Sequence, residues 1–345
     1  MTKFRIYKLH FKAPLHISDL RDDASISQKT IHSDTLHAAL ISCLAKVGET
    51  IPEGGDLGCV ISDLFPYYQK DKNSSPVYFL PMPLQTSLPK VNPEDAKKVK
   101  RVQWVDAKLY SKRLKGKPFF SGDVEDINYI QSSYLTETNL PDDSKGSKDF
   151  VKSEVMQRVS IKDRTGQSDA LPYYVDRISF RDESGLYFLV EGENTDLLDQ
   201  ALKVLEMEGI GTDRYVGYGF FDTISKDEKG NPLVLELDTP EKADHQVALS
   251  IFIPEDKEQL SELMKSDKVA YDFTRRGGWI TTDPYITLRK NAIYAFLPGS
   301  VFLKPEGQNK TCIGRIADLT PSINGKAIDH HIWRNGKSIM LPIIL

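Results

Sequence analysis

Cysteine is scarce in this 345-residue chain, and the three present, Cys43, Cys59 and Cys312, stand too far apart for a C-x-x-C pair or an even disulfide framework. That scarcity fits a protein of the reducing cytoplasm. Long apolar runs are missing too. No stretch approaches the roughly 20 apolar residues of a membrane helix, and Lys3 and Arg5 are followed by no apolar signal core. Neither membrane insertion nor secretion is expected. Basic charge is not in excess, since 45 Lys and Arg face 49 Asp and Glu for a formal net charge of -4. Any nucleic-acid role must therefore rest on local clusters. Paired carboxylates and His/Cys ligand clusters are absent, so no metal, no other cofactor and no metal-assisted catalysis is expected. Short-period repeats and low-complexity tracts are absent as well.

What is present is an ordinary globular composition, 40% apolar and 27% charged, in a length that suits two compact domains. Tyr7, Leu9 and Phe11 alternate with Lys8, His10 and Lys12, the period-two pattern of a half-buried strand. After a polar loop, Ser33 or Asp34 can cap a helix whose Leu36, Leu40, Cys43, Leu44 and Val47 form one face and which Gly48 stops. Residues 50–150 keep no sustained period and read as an insertion. Val155 to Ile161 and Asp176 to Val190 read as strands, and Leu198, Ala201, Leu202 and Leu205 mark a second helix. Phe220 to Ile224 closes the unit. The order is βαββαβ, the split-βαβ or ferredoxin-like arrangement. Past the polar break at 225–232, strand-like runs at Val247 to Ile253, Tyr285 to Leu288 and Ile293 to Phe296, with a helix at Glu255 to Met264, point to a second, related domain. The expected fold class is thus α+β, with domains at 1–228 and 229–345.

Three segments carry chemistry. In EGIGTDRYVGYGFF, residues 208–221, Gly209, Gly211, Gly217 and Gly219 fall between a helix and a strand. Such glycines permit positive φ and let backbone N–H groups approach another chain, while Arg214, Tyr215 and Tyr218 offer phosphate contact or base stacking. A helix C-cap with a tight turn and bulge explains the same glycines. No Lys-Ser/Thr follows, which excludes a nucleotide-triphosphate P-loop. The second segment, residues 157–180, places Arg158, Lys162, Arg164, Arg177 and Thr165-Gly166 around a protruding hairpin that could grip phosphates, or simply be a solvated charged arm. The third, Lys97 to Lys117, carries nine basic residues against the single acid Asp106, with Trp104 and Tyr110 interleaved. Nucleic-acid contact, a solvated basic helix or an acidic protein neighbour would each explain it.

The G-x-G-x-x-R-x-x-G-x-G loop resembles the signature of the repeat-associated mysterious protein (RAMP) superfamily of CRISPR RNA-binding proteins. IHSDTLHAAL at 31–40, RVSIKDRTG at 158–166, Arg276-Gly277-Gly278-Trp279 and the closing HHIWRNGKSIMLPI resemble the fourth subunit of the type III-A (Csm) effector. The resemblance spans roughly 1–225 and 240–345 and leaves the insertion unanchored. It implies two ferredoxin-like (RRM-like) domains, the first with a large insertion and a protruding hairpin. It implies a non-catalytic subunit that holds the crRNA 5′ handle, docks the large polymerase/cyclase-like subunit and neighbours the RAMP backbone subunit. RNA contacts would come from Arg158, Lys162, Arg164 and the loop residues Gly209, Gly211, Arg214, Tyr215, Gly217 and Gly219, with Ser33 and Asp34 at the first helix start.

Two enzymatic readings compete. Four histidines, His10, His16, His32 and His37, lie near the N-terminus, and two of them could meet at an RNA 2′-OH in an endoribonuclease of the same superfamily that processes precursor crRNA. Asp19, Asp22 and Asp23 occupy a loop comparable to that of the backbone subunit that cleaves target RNA, although HSDTLHAAL replaces that subunit's usual helix entrance. Gly54-Gly55-Asp56 reads as half of a cyclase metal motif, but Leu57 follows and no second carboxylate is at hand.

Overall fold

The computed structural model describes residues 1–18, 24–85, 93–119, 129–131, 133–138, 140, 149–160, 171–308 and 310–345. It is a mixed α+β protein dominated by sheet. β1 (Thr2–Phe11) leads to α1 (Ser33–Lys46), then to β2 (Val60–Ile61), β3 (Phe65–Tyr68) and β4 (Val77–Pro81). Next come α2 (Pro93–Val99), β5 (Trp104–Asp106), α3 (Ala107–Leu114), β6 (Tyr129–Gln131) and β7 (Tyr134–Thr136). A long hairpin of β8 (Val151–Ser160) and β9 (Leu171–Phe180) precedes β10 (Gly185–Glu191), α4 (Asp196–Glu208), β11 (Phe221–Ile224) and β12 (Val234–Leu237).

These strands, the hairpin aside, build one sheet in the order β11-β1-β10-β3-β4-β5-β7-β6, with β12 beside β1 and β2 beside β10. The first helix and α4 lie on one of its faces. Leu36, Leu40, Cys43 and Leu44 recur at helical spacing and meet Leu198, Ala201, Leu202 and Leu205 in a single core with Tyr7, Leu9 and Phe188. The sheet's other face is covered as well. Phe4, Ile6, Tyr187 and Leu189 pack there with Val247, Leu249, Ile339, Leu341 and Ile343 from the second unit. β1 is therefore buried on both faces at its middle, Ile6 to Leu9, where the alternation of Tyr7, Leu9 and Phe11 with Lys8, His10 and Lys12 suggested one wet side, while Lys3 and Arg5 stay exposed.

The second unit begins with β13 (His245–Ala248) and α5 (Lys257–Leu263), followed by β14 (Phe273–Arg276), β15 (Ile293–Phe296) and β16 (Val301–Leu303). It ends with β17 (Cys312–Ile313), β18 (Ile316–Asp318), β19 (Ser322–Ile323), β20 (Lys326–Ala327), β21 (Trp333–Asn335) and β22 (Ser338–Ile343). Its main sheet runs β16-β13-β22-β17, while β14 pairs β15 and β18 pairs β21.

Several expectations are corrected. Among the described residues, β8 pairs only with β9, from Val151↔Phe180 to Ser160↔Leu171, so the run expected from Val155 supplies no strand to the main sheet. Asp176 to Val190 is two strands, broken where Asp182 turns at φ 56° and Ser184 N–H donates to the Arg181 carbonyl. The strand expected from that stretch is instead β2 with β3, inside the residues read as insertion. All four residues Phe65, Pro66, Tyr67 and Tyr68 are buried, so no alternation marks it. Tyr285 to Leu288 forms turns, with Leu288 N–H donating to the Tyr285 carbonyl. The break expected at 228 falls in the turn before β12, which returns to β1, so the first sheet extends to Leu237.

Candidate nucleic-acid interface

Gly209 ends α4 at φ 74°, and the chain then folds back on itself: Ile210 N–H donates to Gly219 O, Thr212 N–H to His16 O and Gly219 N–H to Pro14 O. The four glycines do different work. A Cβ at Gly219 would stand 1.9 Å from Ile210 O, and one at Gly211 would stand 2.5 Å from His16 O, so both are required by packing within the chain. Gly217, at φ 94°, faces open space. Between them a 3₁₀ turn, Arg214–Val216, forms the tip. Tyr215 is 90% exposed there, with the Arg214 guanidinium 5.3 Å from its ring centroid. A ring so presented, backed by a cation, can stack on a base.

The β8/β9 hairpin roots in the core through Val151, Val175 and Ile178, while Val155, Val159, Leu171, Tyr173 and Tyr174 lie exposed farther out. Arg158 on this arm donates through Nη1 to Asp213 at 2.7 Å and lies 5.0 Å from the Tyr218 ring centroid, so arm and loop meet. Arg177 is held by Glu154 at 2.6 Å, and Arg214 stands 3.8 Å from Glu208. Each described arginine of this surface thus has a carboxylate that a phosphate would have to displace. Lys162 and Arg164, like Asp19, Asp22 and Asp23, lie outside the described residues.

Ser33 is corrected. It is fully buried, and neither it nor Asp34 caps α1 with its side chain. The cap comes from Asp63, whose Oδ1 accepts from the Ser33 amide at 2.8 Å and from Ile251 N–H at 3.0 Å, tying the helix start to the second unit. Asp34, also fully buried, accepts from Arg276 Nε at 2.7 Å, Arg276 Nη2 at 2.9 Å and Arg334 Nη1 at 2.9 Å. Burial opposes its charge, but the two guanidiniums hold its carboxyl far below the usual carboxylate range. Lys290 stands near the same arginines, and burial pushes its ammonium down to about 8. A direct RNA contact from Ser33 would need the second unit to leave this helix start. Arg276 and Arg334 both belong to motifs noted in the sequence, but their shared partner lies 242 and 300 residues away, beyond any local pattern.

A family model for the Csm4 C-terminal domain matches residues 241–343. Over most of its length the chain is also similar to CRISPR system Cms protein Csm4 of Methanocaldococcus jannaschii, with 24% identity covering 92% of this chain and 91% of the relative. The same-named protein of Mycobacterium tuberculosis is 25% identical over 82% of this chain and 84% of its own. The chain is thus similar to Csm4 proteins across both units, and its second unit matches their C-terminal domain. Its fold is that of a chain in the crystal structure of the Csm3-Csm4 subcomplex of the type III-A CRISPR-Cas interference complex, with 19% identity, 100% of both chains covered and a TM-score of 0.61. A chain of the Csm1-Csm4 cassette in complex with cA4 aligns with 18% identity, a TM-score of 0.57 and 100% and 99% coverage.

The remaining candidates fall into place around that fold. Its histidines are dispersed: His16 Nδ1 lies 2.6 Å from Asp176 O, His32 Nδ1 2.6 Å from Asp63, and His37 Nε2 2.7 Å from Gly55 O. Burial pushes the His37 imidazole down to about 4. Burial works against charge on His32 too, but Asp63 outweighs it and raises the imidazole. Asp56 is occupied by Lys337 at 2.5 Å, which makes Gly54-Gly55-Asp56 a pinned loop. In the basic run, Tyr110 is fully buried, Trp104 is half-buried and Arg113 donates to Ile344 O at 2.7 Å. Its aromatics serve the core, and what faces solvent is lysine and Arg101.

Proposed function

We propose that this chain is a non-catalytic RNA-binding subunit of a type III-A CRISPR interference complex, working in the cytoplasm. It holds the crRNA 5′ handle, docks the large polymerase/cyclase-like subunit and adjoins the RAMP backbone subunit. The observation that carries the reading is the meeting of the glycine-rich loop and the basic arm through Arg158, Asp213 and Tyr218, with Tyr215 presented beside them. Antiparallel order β11-β1-β10-β2/β3 supports a ferredoxin-like first domain, and we read the second unit as a related one. Similarity to Csm4 proteins and the likeness to chains of Csm3-Csm4 and Csm1-Csm4 assemblies support the partners. His16, His32 and His37 each sit on a separate partner, which disfavours an endoribonuclease built on a pair of them.

Three measurements test this. The chain is expressed with its partner subunits and a CRISPR array, and RNA bound to the purified complex is sequenced; crRNA carrying an intact repeat-derived 5′ end is expected. Unrelated RNA, or none, overturns the reading. Arg158→Ala is expected to weaken retention of many RNA sequences alike and to lower the salt slope by about 0.7. Asp213→Asn, by freeing Arg158, is expected to strengthen retention at moderate salt. Cleavage at the repeat boundary that is lost in His32→Ala would move the assignment to a processing enzyme.

A further inference from the structure

The turn that follows β14 gathers more positive charge than the joint at the start of α1 neutralises. Arg276 forks onto Asp34, and Arg334 reaches the same carboxylate through Nη1 and the Gly277 carbonyl through Nη2, at 3.1 Å. Opposite the turn, Lys290 N–H donates to Gly278 O at 3.0 Å. A Cβ at Gly278 would stand 3.6 Å from Lys290 Cε, so the lysine stem lies over bare backbone. The charged groups around its ammonium are Arg334, Asp34 and Arg276.

Three cations thus share one carboxylate, an excess of two positive charges. Two further acids near the joint are already answered, Asp63 by His32 at 2.6 Å and Asp56 by Lys337 at 2.5 Å. Donors are in excess as well. Arg334 is 5% exposed and its Nε has no acceptor, while the Lys290 ammonium has no side-chain partner among the described residues. Burial and the two guanidiniums hold that ammonium down to about 8. Like charges crowded in a half-buried place are costly until an anion joins them. A phosphate, with its negative charge and several acceptor oxygens, suits a lysine beside a guanidinium. The turn also lies at the far end of α1 from the glycine-rich loop. About 20 Å of helix separates Ser33 from Lys46, whose Nζ sits 2.6 Å from Glu208 next to Gly209. A strand anchored at the loop meets the turn by running the length of that helix.

We propose that Lys290 and the Arg276-Gly277-Gly278 turn form a second phosphate site, which takes one backbone phosphate of the RNA held at the glycine-rich loop. The assignment rests on the RNA-binding reading above. Its test uses the complete complex, assembled on crRNAs that each carry a single ethylated, uncharged phosphate. Ethylation at one position should weaken retention about tenfold. Lys290→Gln should weaken retention of the unmodified crRNA by a similar factor, lower the salt slope by about 0.7 and make that one ethylation silent. Lys290→Arg keeps the charge and should behave as the wild type. Losses from Lys290→Gln and ethylation that add at every position, or wild-type retention by Lys290→Gln, overturn the site and leave the proposed function standing. A wild-type complex that holds no crRNA defeats that function and the site together. The full chain is also titrated with inorganic phosphate and with AMP. Binding of either that is lost in Lys290→Gln while crRNA retention is unchanged gives the site to a free phosphate or nucleotide and overturns the RNA assignment. Lys290→Gln removes a crowded charge, so the chain alone should melt at or above the wild type; a lower melting temperature makes Lys290 a structural prop and overturns the proposal.

Discussion

At the scale of single residues, the glycine-rich loop separates two jobs that its sequence merges. Gly211→Ala puts a methyl 2.5 Å from the His16 carbonyl, main chain that cannot rotate aside, so the variant should lose stability before any effect on RNA can be read. Gly217→Ala meets no neighbour and pays only for its left-handed φ, about 1–2 kcal/mol. Thermal melts of both should show the larger loss at Gly211, and crRNA retention by Gly217→Ala then reports on close backbone approach. Equal losses would mean that the two turns are equally structural. His37 offers a second residue-scale test. Unfolded, it takes up a proton near pH 6.5; folded, burial keeps it neutral down to about pH 4. Stability should therefore fall as pH drops from about 6.5 to 4, by about 3 kcal/mol from this group. Carboxylates and His32 add their own pH dependence, so the contribution is read as a difference between proteins. His37→Gln should show a shallower fall in its urea midpoint between pH 7 and 4.5, and parallel curves would contradict the assignment.

At the scale of elements, the start of α1 is the joint on which the second unit turns. Asp34 receives two guanidiniums, and Asp63 receives amides from both units. Removing one partner of a buried pair strands the others, at about 3–5 kcal/mol. Asp34→Ala should thus cost that much in denaturant unfolding, and Arg276→Lys less, because a single ammonium keeps the charge but loses the two-pronged contact. If Asp34→Ala changes stability by less than about 1 kcal/mol, the arginines find other partners and the joint is not here. This is also where sequence reading had least purchase. The first helix, α4 and its Gly209 stop were legible from spacing and punctuation. Ser33 looked like a cap because Ser and Asp at a helix start usually are, and nothing local could reveal that Asp63 takes that role while Asp34 serves residues at 276 and 334. The loop and the arm were legible as separate features, but the carboxylates that already occupy Arg158, Arg177 and Arg214 were not, since pairing across strands and loops leaves no periodic trace.

At the scale of the whole molecule, the feature that periodicity hid is a core shared by the two units. Ile339, Leu341 and Ile343 of β22 are fully buried and pack with Phe4, Ile6 and Leu189 on the back of the first sheet. The closing SIMLPI run is therefore a strand at a junction, and Trp279 is half-buried beneath the Arg289 guanidinium at 4.8 Å. A junction built of apolar side chains from both units couples them more tightly than the polar contacts usual between domains. Unfolding either unit would expose the other's back face, so the two should melt together. Calorimetry of the full chain is expected to give one transition, with calorimetric and van't Hoff enthalpies in agreement. Leu341→Ala should lower that single transition, at about 2–5 kcal/mol for a leucine emptied from a closed core, and should not split it. Truncation after Gly336 removes β22 entirely and with it the strand between β13 and β17, so both units should lose protection from proteolysis. Two resolved transitions in the intact chain, or a truncated chain whose first unit stays as protease-resistant as before, would show that the shared core does not couple them.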